Sequence, residues 1–399
     1  MYGFLKNLRF FEPFIILYFR EIGLTFLQIG VLFSIRELST VLLEVPTGFV
    51  ADIGGRKTSM VFSMLAYIVS FVVFFLFRSY AAAAGAMVLF ACGEAFRTGT
   101  HKAMILEYLR ITGQEEWKPD YYGATRSASL LGSSLNALIA AALVFFTGGY
   151  RYVFIAAALP CLLNMLNLAS YPSRLNWAGL DRGEKRPGIR ESIGHSIRML
   201  RDPAARRSIL NSAAFDSFFK VLKEYLQPVL RAAALGLPFL TALAVDRRTA
   251  LLAGAVYSVL FLLASSVSRG SGGFGRRFRG PRRALDITWA AGALLVAAAG
   301  LFQGLGLFAV TIIAYVALYA VQNLRRPLCV SLISDMVHNR VMSVGLSVES
   351  LAKTLMMAVL APLFGYVADR TGIGPMIAAA GVMMLILMVP LRISRERSD

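Results

Sequence analysis

The chain has 399 residues, of which 57 % are hydrophobic and 16 % are charged, and its mean hydropathy is +0.63. A soluble domain carries about 25 % charged residues, so the composition excludes an ordinary soluble protein and indicates an integral membrane protein. The formal net charge of +18 does not indicate a nucleic-acid partner, because the bases lie in short segments between apolar runs, where they orient a membrane protein.

The first half of the chain contains six apolar runs, each of roughly the length that a helix needs to cross the hydrocarbon core. We predict membrane-spanning helices at 4–19, 27–47, 59–77, 81–107, 122–147 and 150–171. They are expected to form an N-terminal six-helix bundle, residues 1–171. A polar, basic stretch with Pro and Gly follows, and it predicts a cytoplasmic linker at 172–207 with a short surface helix at 189–200.

The second half repeats this pattern. We predict spans at 208–230, 250–268, 284–302, 305–333, 341–366 and 373–391. The span at 208–230 is the least apolar, and we retain it because without it the base-rich segment 269–283 would lie on the outer side. The chain is therefore predicted to be an all-α integral membrane protein of twelve transmembrane helices, with a C-terminal six-helix bundle at 208–399. Because the bases concentrate in alternate connections, we expect a multi-pass protein of the cell inner membrane with both termini cytoplasmic.

Charged side chains occur inside several predicted spans, where each costs about 2.5–3.5 kcal/mol at the bilayer centre. They are therefore expected to face the bundle interior or a wet passage. Helical spacing places Glu94, Arg97 and His101 on one face, and Glu349 one turn from Lys353. We predict that a substrate-binding and translocation site is formed by Arg36, Glu37, Glu94, Arg97, His101, Lys102, Asp216, Lys220, Lys223, Glu224, Glu349 and Lys353. The bases would bind an anionic group and the acids would carry a proton or a cation; static ion pairs between helices are the alternative.

Three roles stay open for His101, which shares a predicted helix face with Arg97. It could be a hydrogen-bonded structural residue, a pH-responsive relay or a metal ligand. No second His or Cys lies at ligand spacing in the sequence, so we predict no metal site.

The predicted second span ends in the sequence "GFVADIGGRKTSM". This stretch resembles the signature loop between the second and third helices of the major facilitator superfamily. Gly48, Asp52, Gly55, Arg56 and Lys57 match the family pattern, whereas the basic residue expected after the Asp is Ile53 here. "EVPTG" and "EAFRTGTHKAMILEYL" also look like one bacterial branch of this superfamily. The resemblance implies two pseudo-symmetric six-helix bundles that expose a central site alternately to each side.

The same loop is predicted to act as a gate. Gly48 would let two helices approach closely, and Asp52 would accept backbone N–H groups at the N-terminus of a neighbouring helix. Arg56 and Lys57 would lie at the anionic inner surface. The predicted gating group is Gly48, Asp52, Gly55, Arg56, Lys57, Glu107 and Arg126.

A second copy of the motif, "GYVADRTG", occurs at 365–372. The predicted topology places it on the outer face, as an inverted repeat requires. The corresponding inner segment, 269–283, keeps glycines and bases but contains no acid. We therefore predict that the inner gate is asymmetric.

The sequence contains no GxxxxGK[ST] loop, so we do not expect ATP to drive the protein directly. It also lacks GxSxG and HExxH motifs, and we predict that it is not an enzyme and needs no cofactor. Our prediction is a monomeric secondary active transporter of a small anionic or zwitterionic organic solute, coupled to protons, with export favoured over uptake. The alternatives are a metal-ion or metal-chelate exporter, an uncoupled facilitator, and a non-transporting membrane receptor or scaffold.

Overall fold

A computed structural model describes residues 1–98, 100–114, 118–173, 176, 201–237, 240–278, 280–336 and 342–393. These residues form helices and short connections, and no strand occurs among them. The short surface helix predicted at 189–200 lies outside the described residues. The predicted all-α membrane fold is confirmed.

The helices of the first half follow the predicted order. They are α1 (Tyr2–Lys6), α2 (Ile15–Glu21), α3 (Phe26–Gly54), α4 (Arg56–Leu76), α5 (Tyr80–Arg97), α6 (Thr100–Ile111), α7 (Lys118–Thr147) and α8 (Tyr152–Ala169).

The second half begins after the linker. Its helices are α9 (Pro203–Glu224), α10 (Leu226–Leu235), α11 (Val245–Arg269), α12 (Ser271–Arg277), α13 (Pro281–Gly304), α14 (Phe308–Met336), α15 (Met342–Thr371) and α16 (Ile373–Met388).

Two predicted spans are interrupted. The span predicted at 4–19 is divided into α1 and α2 by a 3₁₀ turn at Glu12–Phe14, since Pro13 has no N–H to continue the helical hydrogen bonds. The span predicted at 81–107 ends at Arg97, because Thr98 is extended, with φ −61° and ψ 127°. His101 therefore belongs to the next helix, and the prediction of one continuous face for Glu94, Arg97 and His101 is wrong.

Seven described helices are long and apolar enough to cross a membrane, judged by length and composition. They are Phe26–Ala51, Arg56–Leu76, Tyr152–Ala169, Val245–Ala264, Pro281–Gly304, Phe308–Ile333 and Ser347–Thr371. Leu131–Thr147 and Ile373–Met388 are shorter apolar helices. The remaining predicted spans fall on helices that are interrupted or carry several charges, as α9 does.

The chain divides into two compact units. The first comprises Met1–Leu24, Val31–Glu184 and Leu237–Phe261. The second comprises Thr25–Gly30, Lys185–Gly236 and Leu262–Asp399. The start of α3 thus belongs to the second unit, and the first part of α11 belongs to the first.

Small residues allow α13 and α16 to cross closely within the second unit. A Cβ atom added to Gly374 would lie 3.0 Å from the Cα of Gly304, and one added to Gly381 would lie 2.6 Å from the Cα of Ala297. The indole N–H of Trp289 donates to the carbonyl of Met384 over 2.8 Å. Close backbone approach of this kind is how membrane helices gain packing energy when lipid is as apolar as their own side chains.

Candidate functional site

The first unit contains a cluster of charged side chains, the first cluster, formed by Arg9, Tyr67, Glu94 and Arg97. Glu94 on α5 accepts hydrogen bonds from the guanidinium groups of Arg9 and Arg97, one on each carboxylate oxygen. The hydroxyl of Tyr67 on α4 donates to Glu94 Oε1 over 2.8 Å and accepts from Nε of Arg97 over 3.2 Å. One carboxylate is therefore shared by two cations.

Aromatic rings hold Arg9 in this cluster. Its guanidinium lies 5.3 Å from the centroid of Phe90 and 5.5 Å from that of Tyr67, within the range of cation–π attraction. Nη1 of Arg9 also lies 3.5 Å from Oε1 of Glu12. The Glu12 side chain is 48 % exposed, so solvent screening weakens this second ion pair. Without Glu12, the first cluster contains two arginines and one carboxylate, so its net charge is positive. Arg9 was not among the predicted site residues.

The second unit contains a second cluster, formed by Asp216, Gln322, Arg326, Glu349 and Lys353. Nη1 of Arg326 donates to Asp216 Oδ2 over 3.1 Å and to Glu349 Oε1 over 2.6 Å. Nζ of Lys353 lies 3.6 Å from Asp216 Oδ2, and the amide of Gln322 donates to the other oxygen of Asp216. Two carboxylates therefore share two cations, drawn from α9, α14 and α15.

Serine hydroxyls support the second cluster. The Ser212 hydroxyl donates to Glu349 Oε1 over 3.0 Å, and the Ser217 hydroxyl lies 3.0 Å from the backbone carbonyl of Lys353. The Glu349 side chain is 2 % exposed, whereas that of Arg326 is 38 % exposed. Glu349 is thus a buried carboxylate whose counter-ion reaches solvent.

Other predicted site residues form pairs along their own helices. Arg36 donates to Glu37 over 2.9 Å from Nη2, so this ion pair lies within α3. Lys223 Nζ lies 3.4 Å from Glu224 Oε1 at the end of α9. Lys220 is half-buried on the same helix. The side chains of His101 and Lys102 lie outside the described part of the structure.

Arg325 is buried inside the second unit. Its guanidinium donates to the carbonyl of Leu285 over 2.5 Å and to the side chain of Asn211. It lies 4.4 Å from the ring centroid of Phe215 and 5.2 Å from that of Trp289. This arginine fastens α9, α13 and α14 together and was not predicted.

The predicted gating loop makes hydrogen bonds to Tyr171 and Asn176, which lie more than a hundred residues further along the chain. Gly55 has φ 90°, a conformation that glycine adopts without strain, and it precedes α4. The side-chain oxygen of Asn176 accepts from the backbone N–H of Thr58 over 3.2 Å, which caps α4 from a distant part of the chain. Lys57 donates to the carbonyl of Tyr171 over 2.6 Å.

The close helix approach at Gly48 stays a prediction. A Cβ atom at Gly48 would meet nothing within 4 Å among the described residues, and Gly48 lies on an exposed side of α3. Arg56 is half-buried in the first turn of α4. The side chains of Asp52, Glu107 and Arg126 lie outside the described part of the structure.

The helix-capping contact predicted for Asp52 occurs at its repeat counterpart, Asp369. The two carboxylate oxygens of Asp369 accept from the backbone N–H groups of Phe26 over 2.9 Å and Leu27 over 2.8 Å. These are the first N–H groups of α3, which no helical carbonyl can satisfy. A Cβ atom at Gly365, the counterpart of Gly48, would lie 2.8 Å from the Cα of Leu27. All four residues belong to the second unit.

Replacing Asp369 by alanine is expected to destabilise the start of α3. Loss of a helix-capping side chain costs about 1 kcal/mol, and thermal unfolding of the purified protein would measure it. Asp369→Asn should keep only part of the capping, because its amide has one acceptor oxygen where the carboxylate uses two. Unfolding of Asp369→Ala at the wild-type temperature would contradict a capping role.

Comparison with known proteins identifies the fold. A family model described as Major Facilitator Superfamily matches residues 7–359. Among solved structures, the nucleoside transporter NupG has a TM-score of 0.79 at 10 % identity, covering 99 % of this chain and 98 % of its own. A bacterial homolog of the human lysosomal transporter Spinster has a TM-score of 0.71 at 18 % identity, covering 98 % of this chain and 94 % of its own.

A D-xylose-proton symporter has a TM-score of 0.67 at 17 % identity, covering 97 % of this chain and 94 % of its own. At these identities the structural likeness shows the fold alone. No curated protein sequence matches this chain. The family match covers most of the chain, including the gating loop and both clusters. The chain belongs to the Major Facilitator Superfamily.

Proposed function

We propose that this membrane transporter moves a small anionic or zwitterionic organic solute by alternating access, coupled to protons. The observation that carries the proposal is the pair of charged clusters, one in each unit, with different balances of charge. Arg9, Glu94 and Arg97 leave a positive charge in excess. The second cluster balances two carboxylates against two cations.

The first cluster is suited to bind an anionic group. Guanidinium groups recognise carboxylates and phosphates through paired, charge-assisted hydrogen bonds. Glu94 occupies one acceptor position between Arg9 and Arg97, and it holds both guanidiniums in fixed orientations. A solute anion would pair with the remaining N–H groups, so that little side-chain entropy is lost on binding.

The second cluster is suited to exchange a proton. Asp216 and Glu349 share Nη1 of Arg326, so protonation of one carboxyl would leave Arg326 to pair with the other. Ionisable groups at membrane depth commonly form proton relays. The printed names of the structural neighbours include a nucleoside transporter and a D-xylose-proton symporter, which supports solute transport in general.

The remaining parts of the proposal follow from the sequence. They are export ahead of uptake, a monomer in the cell inner membrane, both termini in the cytoplasm, and bundles at 1–171 and 208–399 joined by the linker 172–207. Asp52 would cap the N-terminus of a neighbouring helix on the inner side, as Asp369 caps the N-terminus of α3. Formation and loss of these caps would then gate the two sides in turn.

Glu349→Gln tests the proton route. The protein would be reconstituted in liposomes containing a pH-sensitive dye and given gradients of nucleosides, dipeptides and small organic acids. We expect wild-type protein to move protons with at least one solute class. Glu349→Gln should lose this proton movement but keep solute exchange, because the amide preserves the shape of the side chain but cannot ionise.

The control variant is Glu21→Gln, which removes a carboxyl at the end of α2, outside both clusters, where it accepts from the backbone N–H of Tyr150 over 3.3 Å. It should couple protons to solute as the wild type does. Proton movement that persists in Glu349→Gln would contradict the role of Glu349. Absence of solute movement from the wild-type protein with every class would contradict the transport proposal itself.

A further inference from the structure

The connection between α11 and α13 differs from the other copies of the gating motif. Residues 269–283 contain six arginines and no acid, whereas 48–57 and 365–372 each contain an Asp. Asp369 uses its carboxylate to cap a helix. The sequence of the arginine-rich connection therefore offers no acid that could play this part.

This connection is folded against the second unit. Within it, Phe274 of α12 and Phe278, which directly follows α12, pack onto a buried apolar cluster that includes Leu328 and Ile393. Gly275 sits directly on α14, since a Cβ atom there would lie 3.0 Å from the Leu328 side chain. One face of α12 is thereby fixed to the protein.

Three arginines of this segment are exposed. They are Arg276, Arg277 and Arg283, and no carboxylate of the described residues lies within ion-pair distance of them. The next acid along the chain, Asp286, is buried. Its carboxylate accepts from the backbone N–H of Ile393 over 3.0 Å and lies 3.6 Å from Arg392.

We propose that α12 and the start of α13 bind the headgroup of an anionic phospholipid. Arginine side chains form bidentate hydrogen bonds with phosphate oxygens, and basic residues beside a membrane helix attract anionic headgroups by about 1 kcal/mol each. The headgroup supplies the negative charge that Asp supplies in the other motif copies. Phe274 and Phe278 hold the arginines in place for it.

Contacts connect the proposed lipid site to the interior of the second unit. The apolar cluster under α12 includes Leu285, whose carbonyl accepts from the buried Arg325. It also includes Ile393 at the end of the described chain, whose N–H is held by Asp286. A bound headgroup would thus stabilise the ends of α13 and α14 and the C-terminal segment together.

The test compares two double variants of the full-length protein. Arg276→Gln/Arg277→Gln removes two arginines of α12, and Arg201→Gln/Arg206→Gln removes two exposed arginines at the start of α9. Each protein is extracted from mixed vesicles of phosphatidylglycerol and phosphatidylcholine, and retained lipid is measured by native mass spectrometry. We expect the wild type and the α9 variant to retain phosphatidylglycerol selectively, and the α12 variant to lose at least about tenfold in affinity for it.

Equal retention of phosphatidylglycerol and phosphatidylcholine by the wild type would overturn the proposal. Equal loss of phosphatidylglycerol from the two double variants would do so as well. Competition by inorganic phosphate at the affinity of the lipid would also overturn it, because the ligand would then be a soluble anion. A thermal-unfolding shift on adding phosphatidylglycerol gives a second readout. It should be present in the wild type and absent in the α12 variant, provided that the two proteins unfold at similar temperatures without lipid.

Discussion

Glu94→Gln is expected to destabilise the first unit. Glu94 is the carboxylate shared by Arg9 and Arg97, and its amide analogue would leave two neighbouring cations to repel each other. Removing one partner of a fully buried ion pair costs about 3–5 kcal/mol. The Glu94 side chain is 18 % exposed, so we expect a loss of about 2–3 kcal/mol in the free energy of unfolding.

Glu12→Gln provides the matched control. Glu12 also faces Arg9, at 3.5 Å, but its side chain is 48 % exposed, and exposed pairs contribute about 0–1 kcal/mol. Chemical unfolding of the two variants in detergent should therefore separate them clearly. Added sulfate should restore part of the stability of Glu94→Gln, because an anion can occupy the position between the two guanidiniums. Equal stability of the two variants would contradict a shared carboxylate at the centre of the cluster.

Much of the helical architecture could be predicted from the sequence, because long apolar runs have few other structures in a membrane. The helices α4, α7 and α8 begin and end within four residues of the prediction, whereas α3 begins as predicted but extends seven residues past the predicted end, to Gly54. The interruption at Thr98 could not be predicted in this way. The local signals for it are Gly99, which follows Thr98 directly, and the polar residues from Arg97 to Lys102. Glycine is common just after the end of a helix, but a count of apolar runs does not use this signal.

The contacts within the candidate site could be predicted only where they follow a helical repeat. Spacing within one helix identified Glu94 with Arg97, which the structure joins. It could not identify Arg9 or Arg326, since their partners lie on other helices and local periodicity carries no information about such pairs. Arg326 lies near the end of an apolar run, where a base normally orients the chain in the membrane. Because that role accounts for such a base, the sequence did not indicate its contact with Glu349.

Gly300→Val should disrupt the second unit more than any other substitution of a small residue along α13. A Cβ atom at Gly300 would collide with the backbone of Ala378 on α16, and backbone atoms cannot turn aside as a flexible side chain can. Overpacking of this kind costs about 3 kcal/mol at the upper end of its usual range. The helices would have to separate, which would break the hydrogen bond between Trp289 and Met384.

Gly304→Val is the control, since it lies one turn away on α13 and a Cβ atom there would meet nothing within 4 Å among the described residues. Both variants lose a glycine and gain the same β-branched side chain, so the difference in their unfolding midpoints isolates the collision. The effect of Gly300→Val should extend to the second cluster, because Trp289 packs against Phe215 with ring centroids 5.6 Å apart and Phe215 precedes Asp216 on α9. Similar unfolding midpoints for the two variants would mean that α13 and α16 can separate without a loss of stability. The packing of α13 against α16 would then not be what holds the second cluster rigid.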